Sequence, residues 1–167
     1  MTRSGYRQVK TNLDGLIAFS KASGEPAIGF TQVFRNGCIE DVDAVVLSPF
    51  EGNTRQIPSI EYEKAIIDSV THFREFFGAA QIDPPYVVML SLIGVKGYTM
   101  TTRRMALRRS ENLGIDRDDV LIPEVIVEEE TESIDKCLQP IFDTVWQACG
   151  LRGSVNYEAD GTWNPPQ

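Results

Sequence analysis

The side chains able to do chemistry fall into a few short stretches of this 167-residue chain. Glu40, Asp41 and Asp43 stand together. On an extended strand Asp41 and Asp43, two apart, project from one face, which is how carboxylates converge on a divalent cation. With Glu61, Glu63 and Lys64 downstream, the set outlines a metal-dependent phosphodiesterase or nuclease using Asp41 and Asp43, and Glu40 as a third acid. Against it, that chemistry wants its Glu-x-Lys on a strand, whereas Glu63 and Lys64 fall in a helical pattern. The plainer reading is a solvated strand whose charges discourage edge pairing.

The main concentration of positive charge is Arg103-Arg104-Met105-Ala106-Leu107-Arg108-Arg109. Arg103, Arg104, Arg108 and Arg109 are suited to gripping phosphates or an acidic partner protein. They equally suit neutralising the chain's own acidic stretch, Asp118, Asp119, Glu124, Glu128, Glu129, Glu130, Glu132 and Asp135. The single histidine, His72, follows Asp68 by one helical turn, which reads as a surface pair ahead of a general base. Gly94-Val95-Lys96-Gly97 lacks the Gly-Lys-Ser/Thr and the following helix of a phosphate loop.

Composition narrows the field. Sixteen basic against 24 acidic residues give a net charge of −8, which repels phosphate backbones unless the arginines act locally. Three cysteines, Cys38, Cys137 and Cys149, lie outside any CxxC spacing, so neither a disulfide framework nor a zinc site is indicated. No apolar run reaches the roughly 18–20 residues that span a bilayer. No signal-type apolar stretch opens the chain. A cytoplasmic protein of one domain over 1–167 is expected, with a core at about 10–150 and a tail or flap at 151–167.

The elements that must position these groups can be read in order. Residues 12–20 read as a strand, followed by 27–34 and 38–47, the last two joined by Arg35-Asn36-Gly37. Asn-Gly supplies the positive φ of a tight hairpin turn. Pro49 to Pro58 reads as a polar loop. A helix follows over about 59–77, capped by Ser59 and stopped by Gly78, with Ile66, Val70, Phe73 and Phe77 on its apolar stripe. The continuous apolar run Tyr86–Ile93 predicts a central strand covered on both faces. Residues 98–101 extend or partner it, and 120–128 form a further strand. The last helix covers about 132–149, with Ile134, Leu138, Ile141, Val145 and Cys149 on one face and Pro140 marking a kink or a fresh start. The order is β-β-β-α-β-(β)-β-α: an α+β fold with a mostly antiparallel sheet of five or six strands and both helices on one face.

Several phrases in series resemble a known family. Asn12-Leu13-Asp14-Gly15 and Gln32-Val33-Phe34-Arg35-Asn36-Gly37-Cys38-Ile39-Glu40 are similar to the C-terminal half of bacterial proteins that begin with a Schlafen-type AlbA_2 domain. So are Met89-Leu90-Ser91-Leu92-Ile93-Gly94-Val95-Lys96-Gly97-Tyr98, Leu121-Ile122-Pro123-Glu124-Val125, Phe142-Asp143-Thr144-Val145-Trp146 and the stretch Asn156 to Trp163. Proteins of that family are described as DNA-binding or ATP-binding regulators. The AlbA_2 domain itself is expected to lie before Met1, so the resemblance implies the companion region and assigns no catalytic residue. It implies a non-enzymatic accessory or interaction domain beside a nucleic-acid-binding regulator, with no cofactor. Its partner would be a protein or an AlbA_2-type domain, and nucleic acid would be reached through that partner or through the 103–109 segment. A small-molecule sensor is the third reading, since a sheet with helices on one side can enclose a ligand on the other.

Overall fold

The computed structural model describes residues 7–20, 28–47, 55–101 and 113–165. The chain divides into two compact units, Met1–Ser48 and Pro49–Gln167. Both helices of the described residues belong to the second, and the α+β class expected from the sequence holds.

The first unit is an antiparallel four-stranded meander: β1 (Arg7–Thr11), β2 (Gly15–Ser20), β3 (Gly29–Phe34) and β4 (Ile39–Asp43). The sequence reading has three strands here, and β1 is the addition. Its alternation of Gln8, Val9, Lys10 and Thr11 is short and polar, so it lacks the apolar periodicity that marks a strand. It is recruited by register, with Val9 opposite Ala18 and Thr11 opposite Leu16.

Asn12-Leu13-Asp14-Gly15, rather than opening a strand, makes the β1–β2 turn. The Asn12 side-chain carbonyl accepts from the backbone N–H of Asp14 at 3.1 Å and of Gly15 at 2.8 Å. At Gly15 the backbone passes so close to Val33 that a Cβ would stand 2.1 Å from its carbonyl oxygen, so no other residue fits. The expected β3–β4 hairpin turn is present at 35–37, with positive φ at one residue instead of at both Asn36 and Gly37. Gly37 has φ +90° and Asn36 has no positive φ, while the Gly37 N–H donates to the Phe34 carbonyl at 3.0 Å. The connector Arg35-Asn36-Gly37 is thus the expected tight loop, with the positive φ carried by the glycine alone. The buried side chain of this unit, among the described residues, is Gln32, whose Oε1 accepts from Asn12 Nδ2 at 2.7 Å.

The second unit holds the apolar core. β5 (Gln56–Pro58) leads directly into α1 (Ser59–Ala79). β5 falls where the sequence reads as a polar loop, and it pairs in parallel with β8 (Thr99–Thr101), which buries Ile57 opposite Met100. Pro58 rather than Ser59 caps α1; Ser59 is the buried first helical residue. The helix runs on through Gly78, and the left-handed turn that ends it falls on Gln81 at φ +58°.

The strands β6 (Tyr86–Val88), β7 (Ser91–Leu92), β9 (Val120–Leu121) and β10 (Val125–Val127) build one two-stranded ribbon in two pieces. β6 pairs with β10 and β7 with β9, both antiparallel. Between the paired residues Val88–Val125 and Ser91–Leu121, one strand advances three residues and the other four. The extra residue is a bulge beside Pro123, bridged by the Ile122 N–H donating to the Leu90 carbonyl at 3.1 Å. The strands expected over 86–93 and 120–128 are therefore present, interrupted where proline cannot donate to a ladder. Instead of one sheet of five or six strands, the described strands form the meander and separate two-stranded pairings.

The ribbon's inner face and α2 (Ile134–Ala148) enclose the core. Ile134, Leu138, Ile141, Val145 and Cys149 are all buried, as the sequence stripe predicts, and Phe142 and Trp146 beside them widen the buried face. Each such side chain contributes about 1.5–3 kcal/mol. α2 passes through Pro140 without a break. α1 differs in emphasis: its deeply buried residues are Ser59, Tyr62 and Glu63, while Ile66, Val70, Phe73 and Phe77 are half-buried. Tyr62 meets Phe142 edge-on at 5.8 Å, and Phe77 stacks on Tyr86 at 5.1 Å, closing the end of the ribbon. Among the described residues no helix is long and apolar enough to cross a membrane.

Candidate functional site

Two features of the second unit stand out once the side chains are placed. The first is polar and fully enclosed. Glu63, on the second turn of α1, has no exposed surface. Its Oε1 accepts from Trp146 Nε1 at 2.8 Å and from Ser154 Oγ at 2.7 Å. Its Oε2 accepts from Asn156 Nδ2 at 2.8 Å and from Trp163 Nε1 at 2.7 Å. Four donors match the acceptor capacity of a carboxylate, which is the condition for burying one without an ion partner. All four donors are neutral, so the charge is solvated by the protein itself.

The donors come from α2 and from the segment after it. Asp143 accepts from the Ser154 N–H at 2.8 Å, and Asp135 accepts from the Trp163 N–H at 2.9 Å. Tyr157 donates its hydroxyl to the Asp135 carbonyl at 2.7 Å and forms a bridge with Trp163. Burial, then the charges of Glu63, Asp135 and Asp143, push the Tyr157 phenol far above its usual range. Burial also raises Tyr62, whose hydroxyl is buried without a hydrogen-bond partner. The cluster binds chain to chain; every oxygen of the carboxylate is taken. Residues 151–165, read from sequence as a tail or flap, form a strap tied to both helices. Glu63 carries no sequence signal of this role. The signals present were two tryptophans and an Asn-Tyr pair without assigned partners.

The second feature is apolar and open. Along the ribbon, Val87, Met89, Ser91 and Ile93 alternate with inward-facing Val88, Leu90 and Leu92. Ile126 lies directly opposite Val87, and Leu121 opposite Ser91, on the same outer face. Val87, Met89, Ile93, Leu121 and Ile126 are 52–77% exposed. The expected strand covered on both faces is thus covered on one: α2 packs the inner side, and the described residues leave the outer side open. A run of consecutive apolar residues reads the same in either case, which is why the sequence could not separate them.

The residues singled out from sequence fare variously. Arg103, Arg104, Arg108 and Arg109 lie outside the described residues. Asp41 and Asp43 do share a face of β4 while Glu40 faces the other way, and all three are exposed. Thr31 Oγ1 donates to Asp41 at 2.6 Å. Asp43 caps the turn after β4, accepting from the Val45 N–H at 2.7 Å and the Val46 N–H at 3.0 Å. Among the described residues no group of three or more His, Cys, Asp or Glu side chains is placed to hold a metal ion.

Asp68 is held by Lys64 at 2.9 Å on the exposed side of α1, one turn before the exposed His72. Cys38 is exposed, Cys137 half-buried and Cys149 buried, where burial pushes its thiol up to about 11. The glycine loop at 94–97 spends its N–H groups inside the fold. Gly94 donates to Asp119 Oδ1 at 3.0 Å, Val95 to the Asp118 carbonyl at 2.7 Å and Gly97 to the Ile115 carbonyl at 2.8 Å. No family model, curated protein or solved structure matches the chain.

Proposed function

We propose that this chain is a non-enzymatic interaction module, working beside a nucleic-acid-binding regulator, whose docking face is the outer side of the 86–93/120–127 ribbon. The observation that carries the reading is the row of five exposed apolar side chains on one face of the bulged ribbon. Single exposed apolar residues are ordinary on a protein surface; a contiguous row on one face marks a site of contact. The polar cluster at Glu63 supports the reading indirectly. It fixes α1, α2 and the strap as one rigid body beneath the ribbon, and rigid support suits a recognition face. The phrases that resemble AlbA_2-type regulators support the same neighbourhood. The carboxylates around the ribbon favour a protein surface over a phosphate backbone.

The test is site-directed photocrosslinking in the producing cell. A benzophenone side chain placed at Met89 should give discrete protein adducts, abolished by Ile126→Thr. The same group at Glu75, exposed on α1, should give none of them. Identical adduct patterns from both positions would overturn the reading.

A further inference from the structure

We propose that the outer face of the ribbon receives an amphipathic helix of a partner protein, apolar along one stripe and bearing Lys or Arg at both ends. This rests on the reading of the ribbon as the docking face and names what docks there. The dimensions come first. From Val87 to Ile93 the row runs about 20 Å at ~3.3 Å per residue. A helix of about 14 residues covers that length at 1.5 Å per residue. Two strands set about 4.8 Å apart make a strip roughly 10 Å wide, the diameter of one helix with its side chains. A sheet face left open beside a helix-covered one is completed by a helical layer in the common layered architectures.

Charge chooses the partner. At the end of the row near Tyr86 stand Asp83, three residues before it, and Glu128, next to its cross-strand partner Val127, both exposed. Exposed Asp118 and Asp119 close the other end, and Glu124 sits at the bulge. The basic groups nearby are fewer. Among the described residues Arg117 is paired with Asp116 at 2.8 Å, Arg74 is turned to the carbonyls of Glu130 and Glu132 at 3.1 and 2.6 Å, and Arg55 to the carbonyl of Lys96 at 3.0 Å, which leaves the Lys96 side chain. An apolar strip bracketed by carboxylates at both ends repels an acidic ligand and attracts a basic one. A second copy of this chain, with its net charge of −8, is disfavoured for the same reason.

The experiment is fluorescence anisotropy with the whole chain and three synthetic 16-residue peptides. One is a Leu/Ala helix with Lys at both ends, one its Glu-ended counterpart, and one a scrambled Lys-ended sequence of equal charge. The Lys-ended helix should bind at least tenfold more tightly than either other peptide. Met89→Thr with Ile126→Thr should weaken it at least tenfold. Glu124→Gln with Glu128→Gln should weaken it severalfold, while Glu61→Gln with Glu75→Gln, equal in charge but on α1, should leave it within twofold. Equal binding of the Lys- and Glu-ended helices, still sensitive to the Thr pair, would overturn the basic partner while leaving the docking face. Equal binding of the scrambled peptide, or indifference to the Thr pair, would overturn the helix itself. A concentration-dependent dimer abolished by the Thr pair would overturn it in favour of a second copy.

Discussion

Replacing Glu63 by Gln changes one atom and should cost more than most core truncations of its size. In the native arrangement two donors face each carboxylate oxygen, at 2.7–2.8 Å. An amide offers acceptor capacity on one side and an N–H₂ on the other. If the N–H₂ takes the Oε1 position, the Ser154 hydroxyl can rotate to accept, but the Trp146 indole cannot. If it takes the Oε2 position, Asn156 can flip to accept, but the Trp163 indole cannot. Either way one indole N–H faces a donor. Hydrogen bonds to a charged group are worth about 1.5–3 kcal/mol each, and a buried unsatisfied donor costs about 1–3 kcal/mol. One lost charge-assisted bond, one orphaned donor and the weakening of the remaining bonds come to about 3–5 kcal/mol. At roughly 2–4 °C per kcal/mol for a chain of this size, the melting temperature should fall by about 6–20 °C. Urea unfolding followed by tryptophan emission measures it directly, since both indoles report on the cluster. A Gln variant within about 1 kcal/mol of the native protein would refute the four-donor account.

Further expectations concern the turns, the strap and the thiols. Gly15→Ala should disrupt the β1–β2 turn, because its Cβ would overlap the Val33 carbonyl oxygen, whereas Gly37→Ala meets no atom within 4 Å and should cost only about 1 kcal/mol for its positive φ. Amide exchange across β1–β4 should show the first change and barely the second. Although burial raises the Asp135 carboxyl, its hydrogen bonds with Ser133 and with the N–H of Trp163 bring it below the usual carboxylate range. A depressed native pKa contributes stability above the unfolded value of about 3.9 that is lost as pH falls through the folded value. Acid should therefore loosen the strap from about pH 4 downward, and Asp135→Asn should flatten that limb of a melting-temperature profile. Under native conditions a maleimide should label Cys38 fastest and Cys149 only after unfolding, because the Cys149 thiol is buried and scarcely ionised at neutral pH. Fast labelling of Cys149 in the folded protein would contradict its place in the core.

Local pattern governed what could be read before the structure. The main stripe of α2 is legible because its apolar positions recur at one helical period and its partners only need to be apolar, while Phe142 and Trp146 beside it are buried without having been read from that stripe. The meander was anticipated in outline, since β-rich runs separated by turn residues imply antiparallel neighbours. β1 and β5 escaped because short polar strands are defined by the partner that recruits them, as Thr99–Thr101 recruits Gln56–Pro58. The phase of α1 misled in part. Its apolar stripe lies on the rim, while the residues it buries deepest include a glutamate whose donors lie 83 to 100 positions further along the chain. No window of sequence spans such a contact. The open ribbon face was missed for the opposite reason: consecutive apolar residues signal burial on both sides, and here the described residues cover only one.

The distance between Glu63 and its donors also orders events during synthesis. α1 leaves the ribosome with a carboxylate on the face that must be buried, and the group that completes its shell, the Trp163 indole, follows 100 residues later. At about 5–20 residues per second that interval lasts roughly 5–20 s. Throughout it, docking α1 into the core would leave the carboxylate short of donors, which disfavours early docking, while the first meander, whose pairings are all local, can already form. The second unit should therefore close late, and a nascent chain halted before the strap should leave the buried face of α2 open to chaperones and proteases.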